Sequence, residues 1–303
     1  MKACCNLCGN FETLKNGHII PSFAIRWIKD TSVTGYLRFS TNPNIRHQDG
    51  HKKYLFCQDC EQKFSKYETQ FSNNIFYPYI NEELSREGIA SGKIKYFDYS
   101  EWLLKFCISV QYRIILTSNS EKYTQRQYNI FNDFKSIWSK YLLDKRNDTG
   151  NCRTYLIFLQ NMLSGKGSLP SNINDKVNFY ILRSIDATPL IGKNKLGVYS
   201  KLGPIVIFTS ILPSRLPYTD DIILKKKGTI KTAQILENTD ISQYILITRP
   251  NETMHLFQYS EKQKNVISET YSKNIEKFED SIIYYSMLGD YHIQDLKEEA
   301  KEK

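Results

Sequence analysis

Apolar and polar positions divide the chain into zones of different period. Over residues 1–80 the apolar runs are short and interrupted. Tyr54-Leu55-Phe56 reads as a strand, residues 22–29 as a helix, and Phe64, Tyr67 and Phe71 fall on one face of a helix over residues 61–71. From about residue 97 to 145 the spacing is helical. Ser100 is placed to cap a helix whose apolar residues recur through Ile114 and Leu116. A second helix over 125–143 carries Ile130, Phe131, Phe134, Ile137, Trp138, Tyr141 and Leu142 as one stripe, and residues 144–150 form a polar break.

From about residue 153 to 250 the pattern becomes strand-like, with runs at 153–159, 177–183, 196–200, 204–210, 222–224 and 244–248. Turn signals such as Gly165-Lys166-Gly167 and Gly192-Lys193-Asn194 separate them. Residues 220–230 predict a hairpin with a basic tip, and the tail from about residue 252 is helical. The fold class is α+β: a small N-terminal module over 1–80, then a helical segment and a mixed, β-rich region within 81–303. A length of 303 residues is consistent with two domains.

Charge and cysteine usage sharpen this picture. The chain has 41 Lys+Arg against 32 Asp+Glu, a net charge of +9, which favours a polyanionic partner such as nucleic acid. No run approaches the roughly 20 apolar residues a spanning helix needs. Met1-Lys2-Ala3-Cys4-Cys5 lacks the apolar core of a signal peptide, so no membrane and a cytoplasmic location are expected. Seven cysteines, five before residue 61, argue against a disulfide framework and for a metal.

Cys5-Asn6-Leu7-Cys8-Gly9 is a compact knuckle, and Cys57-Gln58-Asp59-Cys60 repeats the pair at a helix start. Two thiolates three positions apart grip one side of a tetrahedral ion, so Cys5, Cys8, Cys57 and Cys60 are the predicted ligands of one zinc. A knuckle, an intervening segment, then a CxxC opening a helix is the plan of a treble clef. Four thiolates saturate the ion, so its role is structural. Cys4 is a decoy beside the first pair, while Cys107 and Cys152 sit in apolar runs and read as packing residues.

Between the pairs lies His18-Ile19-Ile20-Pro21. A CxxC, this His-Ile-Ile-Pro and a second CxxC in that order resemble the HNH branch of the His-Me finger nucleases, over roughly residues 4–72. The resemblance implies a ββα-metal fold in which the hairpin histidine deprotonates the attacking water and the zinc staples the module. His18 takes the base position; imidazole titrates near neutral pH, as that role requires. Asp49, Glu61 and Glu68 are the candidate ligands of a catalytic Mg²⁺ or Mn²⁺, hard cations that favour carboxylate oxygen. The chain departs from the family pattern at Gly17, where an Asp or His is common, and at Glu61, where a His is common. It also has no Asn within residues 49–53; the nearest upstream are Asn42 and Asn44.

Arg26, Arg38, Arg46, Lys52 and Lys53, interleaved with Trp27, Tyr36, Phe39 and Tyr54, form the predicted nucleic-acid contact surface. His47 and His51 fall in a polar loop. The expected function is a metal-dependent DNA endonuclease, with residues 81–303 supplying recognition, regulation or docking to a protein partner. Analogy with fused nucleases points to restriction or anti-phage defence. The alternative is a non-catalytic zinc module that binds nucleic acid or a protein. Gly165-Lys166-Gly167-Ser168 lacks the spacing of a phosphate loop and reads as a turn.

Overall fold

A computed structural model describes the chain except residues 86, 87, 89–91, 161–169, 171, 218, 220, 221, 235–239, 302 and 303. The Gly165-Lys166-Gly167-Ser168 turn and the start of the 220–230 hairpin lie outside the described residues. In the N-terminal part, β1 (Lys2–Cys4) and β5 (Lys52–Cys57) flank β2 (Phe11–His18) in an antiparallel sheet, which sets Leu14 opposite Cys57 and His18 opposite Lys52. Between β2 and β5 the chain forms α1 (Ser22–Asp30) and the two-stranded pair β3 (Leu37–Phe39) and β4 (Asn42–His47). Strand β5 runs directly into α2 (Gln58–Phe71).

Helix α2 passes through wide helical turns at Ser72–Phe76 and Tyr79–Glu83, and β6 (Tyr96–Tyr99) leads into α3 (Glu101–Thr117). Helix α3 is the centre of the molecule: twelve of its seventeen residues are buried, as an element covered on all sides demands. It packs on α2, on α4 (Gln125–Leu142) and on the larger sheet. That sheet is antiparallel, in the order β7 (Arg153–Phe158), β10 (Ile205–Leu212), β9 (Leu196–Leu202), β8 (Ile185–Ile191). Gln111 of α3 donates to the Ile207 carbonyl (2.9 Å), and Phe71 of α2 stacks on Phe106 of α3 with ring centroids 4.1 Å apart. One apolar core therefore runs from the N-terminal module to the sheet.

The C-terminal part comprises α5 (Val177–Arg183), β11 (Gly228–Lys231), α6 (Asp240–Gln243), α7 (Arg249–Met254), α8 (Glu261–Lys273), α9 (Ile275–Glu279) and α10 (Ile282–Lys301). The predicted helices at 22–29, 61–71 and 125–143 are present, as are strands at 153–159, 196–200 and 204–210.

Four expectations are corrected. Residues 97–99, at the start of the zone read as helical, belong to β6, which pairs with β11. Residues 177–183 are helical, because Asp290 of α10 accepts from the amides of Asn178 (2.7 Å) and Phe179 (3.1 Å) and so satisfies the helix start. Residues 244–248 form a wide helical turn continuous with α6 and α7. Among the described residues 222–230 no hairpin forms. Gly228–Lys231 pairs with β6, while Ile223 makes an isolated bridge to Tyr155. No described helix is long and apolar enough to cross a membrane.

Candidate metal centre and active-site cleft

The first turn of the zinc knuckle is shaped by Gly9, whose φ of +82° suits only a residue without a side chain, and whose amide bonds to the Cys5 carbonyl (2.9 Å). Asn6 of the same turn donates to the Leu55 carbonyl on β5 through both its backbone and its side chain. This lashes the first CxxC to the strand that delivers the second. The sulfurs of Cys5, Cys8, Cys57 and Cys60 all lie within 4.8 Å of one another. A tetrahedral zinc with Zn–S of about 2.3 Å sets its sulfurs about 3.8 Å apart, and the Cys8 and Cys57 sulfurs are 3.8 Å apart. The Cys57 amide points at the Cys5 sulfur (3.4 Å), the kind of outer-sphere donor that stabilises a thiolate. Burial, and after it the neighbouring thiols of Cys57, Cys5 and Cys8, push the Cys60 thiol far up, so four thiolates here require a cation. The quartet fits a structural zinc. Cys4 is exposed and outside the group, and Cys107 and Cys152 are buried elsewhere.

One strand away, the end of β2 presents His18. Its Nε2 lies 2.7 Å from Oδ1 of Asp49, and Oδ2 of Asp49 meets Lys52 Nζ at 2.5 Å. The Gly50 amide also donates to Asp49 (2.9 Å). Burial works against ionisation of Asp49, but Lys52, His18 and the Gly50 amide outweigh it and hold the carboxyl well below the usual carboxylate range. A carboxylate on Nε2 favours the proton there and leaves the lone pair on Nδ1, which has no hydrogen-bond partner among the described residues.

His18 lines a cleft of about 280 Å³ together with Gly17, Ser22, Gln58, Glu61, Ser65, Glu68 and Arg113. Glu61, Ser65 and Glu68 stand at helical spacing on one face of α2. Glu61 lies against Gly17 so closely that a Cβ on residue 17 would overlap its carboxylate. The position at which an Asp or His was expected is thus vacated in favour of a carboxylate arriving from α2. Burial raises the Glu61 pKa; Arg113 pulls it back and Glu68 adds to the rise. Glu61 makes no ion pair or hydrogen bond with any described residue, whereas Glu68 is bound to Arg113 at 2.7 Å.

No family model, curated protein or solved structure matches this chain.

The cleft joins His18, Glu61 and Glu68, and holds Asp49 behind His18 as its partner. Among the described residues these side chains do not form a second group of three convergent metal ligands; the cysteine quartet is the group that does. Arg113 was missed by sequence reasoning. It lies on α3, beyond the expected module boundary, with its guanidinium 5.0 Å over the Phe64 ring and its Nε without an acceptor. The available signal was a single Arg inside the apolar run of residues 108–116.

The basic residues are dispersed. Lys53 is exposed, and Arg26 is exposed with a bond to Ser22 (3.1 Å). Arg46 stacks over Tyr36 (5.0 Å), and Lys52 is taken by Asp49. Arg38 turns inward to the Pro43 carbonyl (2.6 Å) and Gln263 (2.9 Å) of α8. His47 and His51 sandwich Phe39, with centroids 4.2 and 4.4 Å away.

Proposed function

We propose that the cleft is the active site of a metal-dependent endonuclease of the HNH type that hydrolyses phosphodiester bonds in DNA. Residues 1–80 act as a zinc-stapled, treble-clef-like ββα-metal module, and residues 81–303 serve recognition or regulation. The observation that carries the reading is the Asp49–His18 contact at the rim of the cleft. It fixes the imidazole and leaves Nδ1 free to take a proton from water, the task of a general base near neutral pH.

Glu61, buried in part and without a hydrogen bond or ion pair to any described residue, is the carboxylate suited to a hard cation. Mg²⁺ is commonly held by one or two carboxylates plus substrate phosphates while keeping several waters, so a sparse ligand set is compatible with it. When bound, such an ion would supply charge stabilisation at the leaving oxygen. Arg113 balances Glu68 and keeps the carboxylate side of the cleft from excluding a phosphate. Lys53, Arg26 and Arg46 offer backbone contacts.

The test is nicking of supercoiled plasmid in Mg²⁺ or Mn²⁺ by zinc-loaded protein, beside His18→Ala. Loss of general-base catalysis predicts a fall of about 10²–10⁴ with zinc content unchanged. Equal cleavage by both proteins refutes the assignment of His18. The second reading, a zinc module that binds nucleic acid without turnover, draws on the absence of a second convergent ligand group among the described residues. It predicts salt-dependent DNA binding that His18→Ala leaves unaltered.

A further inference from the structure

A second, larger cavity of about 520 Å³ lies between residues 19–51 and the C-terminal helices. Its size falls within the usual range of small-molecule sites. The wall is largely apolar, with Ile28, Ile114, Met254 and Phe257 among its residues, and it shares no lining residue with the cleft at His18.

Two cations on its wall lack a carboxylate partner among the described residues. Arg183 of α5 is buried, donates to the Thr31 hydroxyl (2.6 Å) and the Ile28 carbonyl (2.8 Å), and lies 5.1 Å over the Trp27 ring. None of these partners is an anion, and burial pulls its pKa down to about 10. Arg38 likewise bonds only to neutral groups and lies 5.3 Å over the Tyr259 ring. The hydroxyls of Tyr259 and Tyr271, both on the wall, hydrogen-bond to no described residue. The acid on the wall, Asp186, is already neutralised by Arg249 at 2.6 and 2.8 Å. Among the described residues, the cavity therefore presents two guanidiniums without a carboxylate partner and two phenols without an acceptor. Removing a cation from water without a counter-charge is costly, and a ligand carrying that charge recovers the cost.

We propose that this cavity is a binding site for a small organic anion with a flat aromatic body. The guanidiniums of Arg183 and Arg38 and the Tyr hydroxyls take the anionic group, and the apolar and aromatic wall takes the ring system. The site is separate from the cleft, so its test involves no cleavage.

The probe is anilinonaphthalene sulfonate, titrated by fluorescence against the zinc-loaded full chain, with phenylnaphthylamine as the uncharged compound of the same body. One saturable site per chain is expected, with the sulfonate preferred by about tenfold or more, the scale of one charge-assisted contact. Arg38→Gln should cut that preference several-fold, Arg183 supplying the remainder, and Arg38→Lys should retain most of it. Arg183 also holds the end of α1, so Arg183→Met is read only alongside its circular dichroism. Absence of a saturable site, equal binding of the neutral compound, or a preference untouched by Arg38→Gln overturns the proposal.

Discussion

Arg113 and Glu68 give the sharpest test of the cleft. Their side chains are 2% and 19% exposed and meet at 2.7 Å. At an effective dielectric of about 20 the gross attraction is about 6 kcal/mol. Desolvation of two ions removes several kcal/mol each, so the net value of the intact pair is small. Breaking the pair from one side is different. Arg113→Met leaves Glu68 and Glu61 on the same helix face without a cation, and Glu68→Gln leaves a buried guanidinium whose Nε already lacks an acceptor. Each single change should cost about 3–5 kcal/mol, and the double variant should lie within about 1–2 kcal/mol of the native protein.

The assay is urea unfolding of the four zinc-loaded proteins, repeated across pH. Without Arg113 the Glu61 pKa, already raised by burial, loses the charge that pulls it back and rises further in the folded state, so the folded chain binds more protons than the unfolded one. Stability of Arg113→Met therefore falls, relative to the native protein, as pH rises from the ordinary carboxylate range toward neutrality, and the deficit shrinks in acid. Two single changes that simply add, or a deficit that is flat with pH, refute this account of the cleft.

Two further outcomes are expected. Elemental analysis should find one zinc per chain, and Cys60→Ser or a strong chelator should release it and melt the N-terminal module, since structural zinc contributes on the order of 10 kcal/mol to folding; unchanged melting after metal removal refutes the ligand assignment. Asp49→Asn should slow cleavage by up to about 10²–10⁴-fold, the contribution of a general base, because the imidazole loses the partner that holds its tautomer. Because the folded-state pKa of Asp49 is depressed, its stabilisation is present above the usual carboxylate range and is lost as pH falls. Stability curves of the native protein and Asp49→Asn should therefore separate near neutrality and converge in acid; parallel curves would count against the His18–Asp49 contact.

The amino-acid sequence by itself determined the cysteine quartet that could hold a metal and the helices of the first half. Two CxxC pairs have few other uses in one short module, and a 3.6-residue stripe such as that of residues 125–142 has one way to bury itself. The order of motifs also singled out His18, which lies between the two pairs; that it ends a strand beside Asp49 came from the structure. The tertiary structure decided what no local pattern carries. Residues 177–183 and 244–248 are short apolar runs with no period, and their helical state came from Asp290 and from neighbouring turns. The partner of β11 lies about 130 positions upstream, a pairing set by packing around α3. Arg113 entered the cleft for the same reason. A side chain more than 40 positions beyond Glu68 reaches it only because α2 and α3 bury their apolar faces against each other, and that contact exists only once the chain has folded.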